Sequence, residues 1–343
     1  MHMADALLSP AVGGTLWAAT AGTIAYCARK VQNDLDDRKV PLMGVLGAFI
    51  FAAQMINFTI PATGSSGHLG GGMILAILLG PYAAFLTIAS VLTVQALFFA
   101  DGGLLALGCN IFNLGIFPCF LAYPLVYKPI AGKQPTPLKI GLGATLAAVL
   151  GLQLGALGVV LETVLSGVSA LPLQAFLSVM LPIHLAIGLV EGLVTAAVVT
   201  FVWKARPEIL ELTAASRPLG KMGITRVLSG LLAGTVLIGG VLSWFASSSP
   251  DGLEWSMFKV SGSEEMEAPE KGIHHTMATI QEKIAFLPDY GFKNSTPDES
   301  GEQNPTWPAV DSGTTTSGLV GGGMTLLLAA VIGFIFRKRK QAV

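Results

Sequence analysis

An all-α, polytopic membrane protein is the fold class this sequence predicts, and three observations predict it. Of 343 residues, 52% are apolar and only 12% are charged, where a soluble domain carries about a quarter. Apolar runs of membrane-spanning length recur along the chain. The short connections between them alternate between basic and free of Lys and Arg.

The first apolar run covers about Ala11 to Ala28 and closes on Arg29, Lys30 and the charged stretch VQNDLDDRK. A second covers about Pro41 to Phe58. The third, Leu69 to Leu79, is short and reads as a half-helix or part of a re-entrant pair; Gly80-Pro81 separates it from a fourth, Tyr82 to Ala100. Further spans fit at about Leu104–Tyr127, Ile140–Leu165 and Phe176–Trp203, then Val227–Ala246 and Leu319–Phe336. Helices are expected throughout, because backbone polar groups in lipid must be satisfied within their own segment.

Positive charge orients the chain. Arg29, Lys30, Arg38 and Lys39 follow span one; Lys128, Lys133 and Lys139 follow span five. Lys204, Arg206, Arg217 and Lys221 follow span seven, and Arg337, Lys338, Arg339 and Lys340 follow span nine. The alternate loops, Thr59–His68, Asp101–Gly103 and Ser166–Ala175, hold no Lys or Arg. Basic loops face the cytoplasm, so the amino terminus is expected outside and the carboxyl terminus inside the cell membrane, against membrane lipid. MHMADALLSP has no basic start before an apolar core, which argues against a signal peptide. Bulky His2 predicts that Met1 is kept with a free amine. Composition shifts near Lys204–Lys221, dividing a seven-span unit (1–205) from a linker (206–224) and a two-span hairpin (225–343) with an outer loop at about 247–317. That loop, acidic and rich in Ser, Thr, Gly and Pro, reads as mostly extended with one short helix over HTMATIQEKIAFL.

A His at position two has distinctive chemistry. The Met1 amine, the His2 backbone nitrogen and the His2 imidazole close two fused chelate rings around one ion. These donors are nearly coplanar, which among divalent ions suits Ni²⁺ or Cu²⁺, with Co²⁺ also open. A fourth donor is available in His68, within INFTIPATGSSGHLGGGM, on the same outer side. The glycines around it, Gly64, Gly67, Gly70, Gly71 and Gly72, suit an irregular loop lining a cavity. Asp5, Asn57 and Ser66 lie nearby as groups to orient the imidazoles; Asp5 equally suits the start of a helix. Taken singly, a second-position His is more often a solvated end and a lone loop His more often structural.

Three segments carry a family resemblance: MHMADALLSP, NFTIPATGSSGHLGGG and ILLGPYAAFLTIASVLTVQALFFADGGLLALGCNIFNLG. Over roughly residues 1–205 the chain resembles the nickel/cobalt substrate-binding membrane component of energy-coupling factor transporters. The remainder resembles the small companion subunit of the same systems, with its PDGLE motif at Pro250-Asp251-Gly252-Leu253-Glu254. The whole is similar to the fused nickel transport proteins. The resemblance implies a planar metal site of Met1, His2 and His68, with the GTSGH-like motif present as GSSGH. It also implies an amino terminus inserted among the helices. The implied partners are a transmembrane coupling (T) protein and a pair of cytoplasmic ATPases, and the implied cargo is Ni²⁺, with Co²⁺ by the same mechanism as the alternative.

Other classes fit less well. Near-zero net charge gives no sign of nucleic-acid binding. Gly220-Lys221 is followed by Met222 and is not a P-loop, and no HExxH or nucleophile–base pair is present, so no enzyme and no resident cofactor is expected. A stand-alone secondary carrier would more often place ionisable side chains within its spans, near the midplane. His184 and Glu191 do lie on one face of span seven, and Glu162 on span six; a hydrogen-bonded pair that fixes packing is the favoured reading over a transport role. His274-His275 is read as a solvated pair rather than a metal collector. Gly14, Ala18 and Gly22 form a small-residue stripe, suited equally to docking the T protein or to packing within the bundle. Cys27, Cys109 and Cys119 are read as buried small residues.

Overall fold

A computed structural model of the protein describes residues 2–34, 39–220, 223–269, 271–293 and 307–336. Met1, Arg38, Lys221 and Arg337–Lys340, on which parts of the sequence reading lean, lie outside the described residues. The apolar runs fold as helices: α1 Pro10–Asp34, α2 Lys39–Gln54, α3 Gly72–Leu79, α4 Pro81–Phe98, α5 Leu107–Ala131, α6 Pro137–Ser166 and α7 Leu173–Ala205. They continue as α8 Pro207–Ala214, α9 Thr225–Gly240, α10 Gly252–Ser261, α11 Ile273–Ile284 and α12 Ser312–Phe336. Among the described residues, α4, α5, α6, α7 and α12 are long and apolar enough to cross a membrane. The apolar α2 and α9 are shorter, and α1, at 25 residues, has the length but is less apolar overall.

Local chemistry sets the helix starts. Ser9 Oγ accepts the Val12 N–H before α1, and Thr136 Oγ1 accepts the Lys139 N–H before α6. Proline opens α4 and α6, where its missing N–H loses no bond. Within α5, Pro118 and Pro124 interrupt the ladder, and the helix is wound wide, in π fashion, over Phe112–Tyr127. Leu138, Leu142 and Leu146 make an exposed stripe on α6, as do Leu185, Leu189 and Leu193 on α7, so both helices turn apolar edges outward as lipid requires.

The companion hairpin packs by close backbone approach. Gly239 on α9 and Gly318 on α12 touch so tightly that a Cβ on Gly318 would overlap the Gly239 carbonyl, and Gly321 sits against the Phe51 ring of α2. The small-residue stripe of α1 behaves differently. Gly14 and Gly22 have open space where a Cβ would stand, and Gly14, Ala18 and Gly22 are exposed. Packing within the bundle is therefore not its role; Gly13 and Thr20 supply the inward face instead.

Three expectations need correction. Over its described residues the 247–317 segment is not mostly extended: α10, α11 and a turn at Pro288–Tyr290 pack onto the bundle. The reason is side-chain satisfaction of backbone groups below. Gln281 Nε2 donates to the carbonyls of Ala96 and Gly102 at 2.8 and 2.7 Å. His274 is accordingly buried, its Nε2 2.8 Å from the Leu8 carbonyl, while His275 is exposed; they are not a solvated pair. His184 and Glu191 are also not bonded to each other, as described below.

Candidate metal site

The site forms where three stretches of chain meet. The first is the amino-terminal segment. The Met3 N–H donates to Asn110 Oδ1 (2.8 Å), while the Met3 carbonyl accepts from Asn110 Nδ2 (3.2 Å) and the Gly103 N–H (3.0 Å). Met3, Leu7 and Leu8 are essentially inaccessible. Burial of those side chains holds residues 2–8 among the helices, and the Asn110 clasp fixes their register.

The second stretch is the turn before α3. Phe58–Ile60 and Ser65–Gly67 pair antiparallel, with Phe58 opposite Gly67, and Gly64 takes the left-handed conformation that closes the hairpin. The chain then runs irregularly through His68–Gly71 into α3, only eight residues long. Eight residues rise about 12 Å, against a hydrocarbon core of about 30 Å, so non-helical backbone lies at membrane depth. Such backbone is stable only when protein groups satisfy it. Glu191 on α7 accepts the Gly70 and Gly71 N–H groups, each at 3.0 Å. Gln54 Nε2 donates to the Gly70 carbonyl at 2.9 Å and is itself held by Gln95 at 3.0 Å. At the far end, Thr213 on α8 donates to the Leu78 carbonyl at 3.2 Å. Glu191 thus positions the loop, and Glu162 plays a comparable part by accepting from Asn113 Nδ2 at 2.8 Å.

The third stretch is the PDGLE turn of the companion region. Its Pro250 carbonyl accepts the Ser66 N–H (2.8 Å), the Ser249 carbonyl accepts the Ser66 hydroxyl (2.8 Å), and Trp255 Nε1 donates to the Thr63 carbonyl (3.0 Å). Asp251 caps α10 through the Leu253 and Glu254 N–H groups, with Glu254 returning to the Asp251 N–H in a capping box.

These contacts bring His2 and His68 together, 66 positions apart in sequence, with ring centroids 4.9 Å apart and planes within 10° of parallel. The rings are stacked, so their nitrogens do not yet point at one centre; a rotation of one ring is what shared coordination requires. His2 Nδ1 lies 3.0 Å from Asp101 Oδ1, and the Tyr290 hydroxyl donates to the other carboxylate oxygen. His2 Nε2 is buried without a hydrogen-bond partner. His68 Nδ1 faces the Leu69 carbonyl at 3.1 Å, and its Nε2 lies 3.8 Å from Asp251 Oδ2. Burial pushes the His68 imidazole down to about 3, which keeps the ring neutral and its lone pair usable. Burial alone would raise Asp101, but the His2 ring and the His2 and Tyr290 hydrogen bonds outweigh it and hold the carboxyl well below the usual range.

Of the groups expected to orient the imidazoles, Asp5 instead accepts the Ala106 N–H at 2.9 Å, Ser66 bonds the companion turn at Ser249 and Pro250, and the Asn57 carbonyl accepts the Ser247 N–H at 2.7 Å. The carboxylates that face the two rings are Asp101 and Asp251, unassigned from sequence. Both stand in Gly-flanked turns on the side assigned as outer, which is the signal that would have singled them out. Among the described residues, no three His, Cys, Asp or Glu side chains converge at metal-ligating geometry. Above the rings opens a cavity of about 530 Å³, lined by Asp5, Asp101, Asp251, Glu254 and Asp289 among others and by no described Lys or Arg. Low-dielectric walls around such acids concentrate cations.

A bundle of apolar helices with an acidic vestibule closing on two stacked imidazoles is a membrane protein whose buried donors suit a cation. Comparison with known proteins takes this further. Residues 2–209 match the family described as cobalt uptake substrate-specific transmembrane region, and residues 225–338 match the PDGLE domain. The chain belongs to that cobalt uptake family. It is 36% identical over 233 residues to a putative fused nickel transport protein of Archaeoglobus fulgidus, covering 68% of this chain and 74% of that one. It is also 36% identical over 212 residues to a putative metal transport protein of Haloquadratum walsbyi, covering 61% and 93%. A crystal structure of a truncated transition metal transporter superposes with a TM-score of 0.53 at 31% identity, covering 60% of this chain and 99% of that one.

Proposed function

We propose that this chain is the substrate-capture component of an ATP-driven energy-coupling factor importer, and that its cargo is Ni²⁺. The ion is held by the Met1 amine, the His2 amide and imidazole, and His68. The observation that carries this reading is the approach of the His2 and His68 rings to 4.9 Å at the floor of an acidic vestibule. Nitrogen donors held together in a buried cleft suit a borderline ion that prefers planar nitrogen coordination. Chelation through His2 Nδ1 opens its contact with Asp101, and the same carboxylate then stands ready to stabilise the bound cation's charge.

The relatives' names support transition-metal transport, nickel for the fused ones and cobalt for others. In this reading residues 1–205 capture the ion and 225–343 form the companion hairpin, joined by 206–224. The vestibule faces outside the cell and the basic ends face the cytoplasm. A T protein docks on the exposed Gly14, Ala18 and Gly22 stripe, and a cytoplasmic ATPase pair supplies the energy.

The test uses the purified full chain and a Ni²⁺ titration with Co²⁺ competition. One residue added before Met1 moves the amine out of chelating range and abolishes tight binding, and His68→Ala does the same. Unaltered binding by the extended chain overturns the terminal-chelate site. Tighter binding of Co²⁺ than of Ni²⁺ reassigns the cargo. Full uptake by this chain without the ATPases makes it a stand-alone carrier.

A further inference from the structure

His184 sits about a third of the way along α7 and is 1% exposed. Its Nδ1 lies 2.8 Å from the Met180 carbonyl, one helical turn back. A carbonyl only accepts, so Nδ1 carries the proton and Nε2 carries the lone pair. That Nε2 is buried and has no hydrogen-bond partner. A buried acceptor left unmade is unfavourable by about 1–3 kcal/mol, so its retention calls for an occupant. A ring nitrogen whose opposite N–H is tied to a backbone carbonyl is the arrangement that metal-ligating histidines adopt.

His184 lines a small cavity of about 10 Å³, shared with His68 and Asp251 and walled by Gly67, Gly70 and Gly252. That is room for about one water molecule, or for one bare divalent ion. Gly252 is what brings the PDGLE turn so near: a Cβ there would stand 3.3 Å from His184 Nε2 and 2.8 Å from Ile187 Cδ1. His184, Asp251 of the companion region and the capture-site histidine thus meet around one small cavity.

We propose that His184 Nε2 is a second, weaker binding station for the transported divalent ion, adjoining the capture site and completed by the companion region's Asp251. An ion held by several nitrogens leaves by stepwise exchange, each lost donor replaced by the next. His184 offers a replacement without releasing a proton, since Nε2 is already unprotonated. The inference rests on the reading of His68 as a metal ligand.

The experiment titrates the purified full chain with Ni²⁺ beyond one equivalent, for the wild type, His184→Gln and His184→Phe. Wild type is expected to bind in two steps, the second at least tenfold weaker. Either variant is expected to lose the second step and keep the first, and retention of the first step reports that the variant is folded. A single step in the wild type overturns the proposal and leaves the cavity to a water molecule. Survival of the second step in both variants overturns it too, as does loss of both steps in both variants, which makes His184 structural. Absence of even the first step in the wild type is a different failure: it removes the capture reading, and this inference with it.

Discussion

Glu191 carries a prediction that can be worked in some detail. Its carboxylate takes two backbone N–H groups, Gly70 and Gly71, both at 3.0 Å, and it is 3% exposed. Hydrogen bonds to a charged acceptor contribute about 1.5–3 kcal/mol each. Glu191→Ala leaves both donors unsatisfied, a loss of about 3–6 kcal/mol. Gln presents one carbonyl oxygen and one amino group, so Glu191→Gln keeps one bond and sets a donor against the other N–H. The loop that fails is the one carrying His68. If about 3 kcal/mol is felt as a penalty on ordering that loop for the ion, metal affinity falls roughly 100-fold, with Gln falling between Ala and wild type. The assays are Ni²⁺ calorimetry and thermal unfolding of the same detergent-solubilised samples. A Glu191→Ala protein that melts and binds Ni²⁺ as the wild type does would refute the assignment of Glu191 as the support of the loop.

Three further outcomes are expected. Asn110→Ala removes the clasp on Met3, two bonds at about 0.5–1.5 kcal/mol each, and should weaken Ni²⁺ binding while leaving the helical content seen by circular dichroism unchanged. Gly318→Leu drives a side chain into the Gly239 backbone and should part α12 from α9 within the hairpin, visible as faster proteolysis of 247–317; an unchanged cleavage rate counts against the packing described. For pH, the His68 pKa of about 3 lies below its exposed value of 6.5. The unfolded chain takes up the proton first as pH falls. The contribution of a neutral His68 is therefore full above about 6.5 and is lost as pH falls from there toward about 3. Melting temperature of the metal-free chain should decline across that window, and His68→Gln should flatten the decline; an equal slope in both would argue against burial as the cause.

Much of the bundle is legible in the sequence because lipid imposes a simple rule: apolar runs become helices, and α4 to α7 and α12 follow it. His2 and His68 are legible for another reason, since chain position and a Gly-rich setting are local properties. The remainder depends on contacts across long separations. Glu191 meets Gly70 from 121 residues away, and nothing beside it in sequence distinguishes it from a packing acid. The stack of α10 and α11 over the bundle depends on Gln281 and His274 reaching carbonyls near residues 8, 96 and 102, which a composition rich in Ser, Gly and Glu conceals. Asp101 and Asp251 converge only after the hairpin has docked.

The shortness of α3 has an electrical consequence. The vestibule brings an aqueous boundary down to His68, and α3 ends at Gly80 beside Lys30 and Lys39. On the proposed reading α3, about 12 Å long, is the low-dielectric path between the two, and most of the transmembrane voltage falls across it rather than across the full bilayer. Moving a doubly charged ion through it involves about 4.6 kcal/mol per 100 mV. On the same reading, with the vestibule outside, loading is nearly indifferent to membrane potential, while delivery past α3 is strongly driven by an interior-negative one.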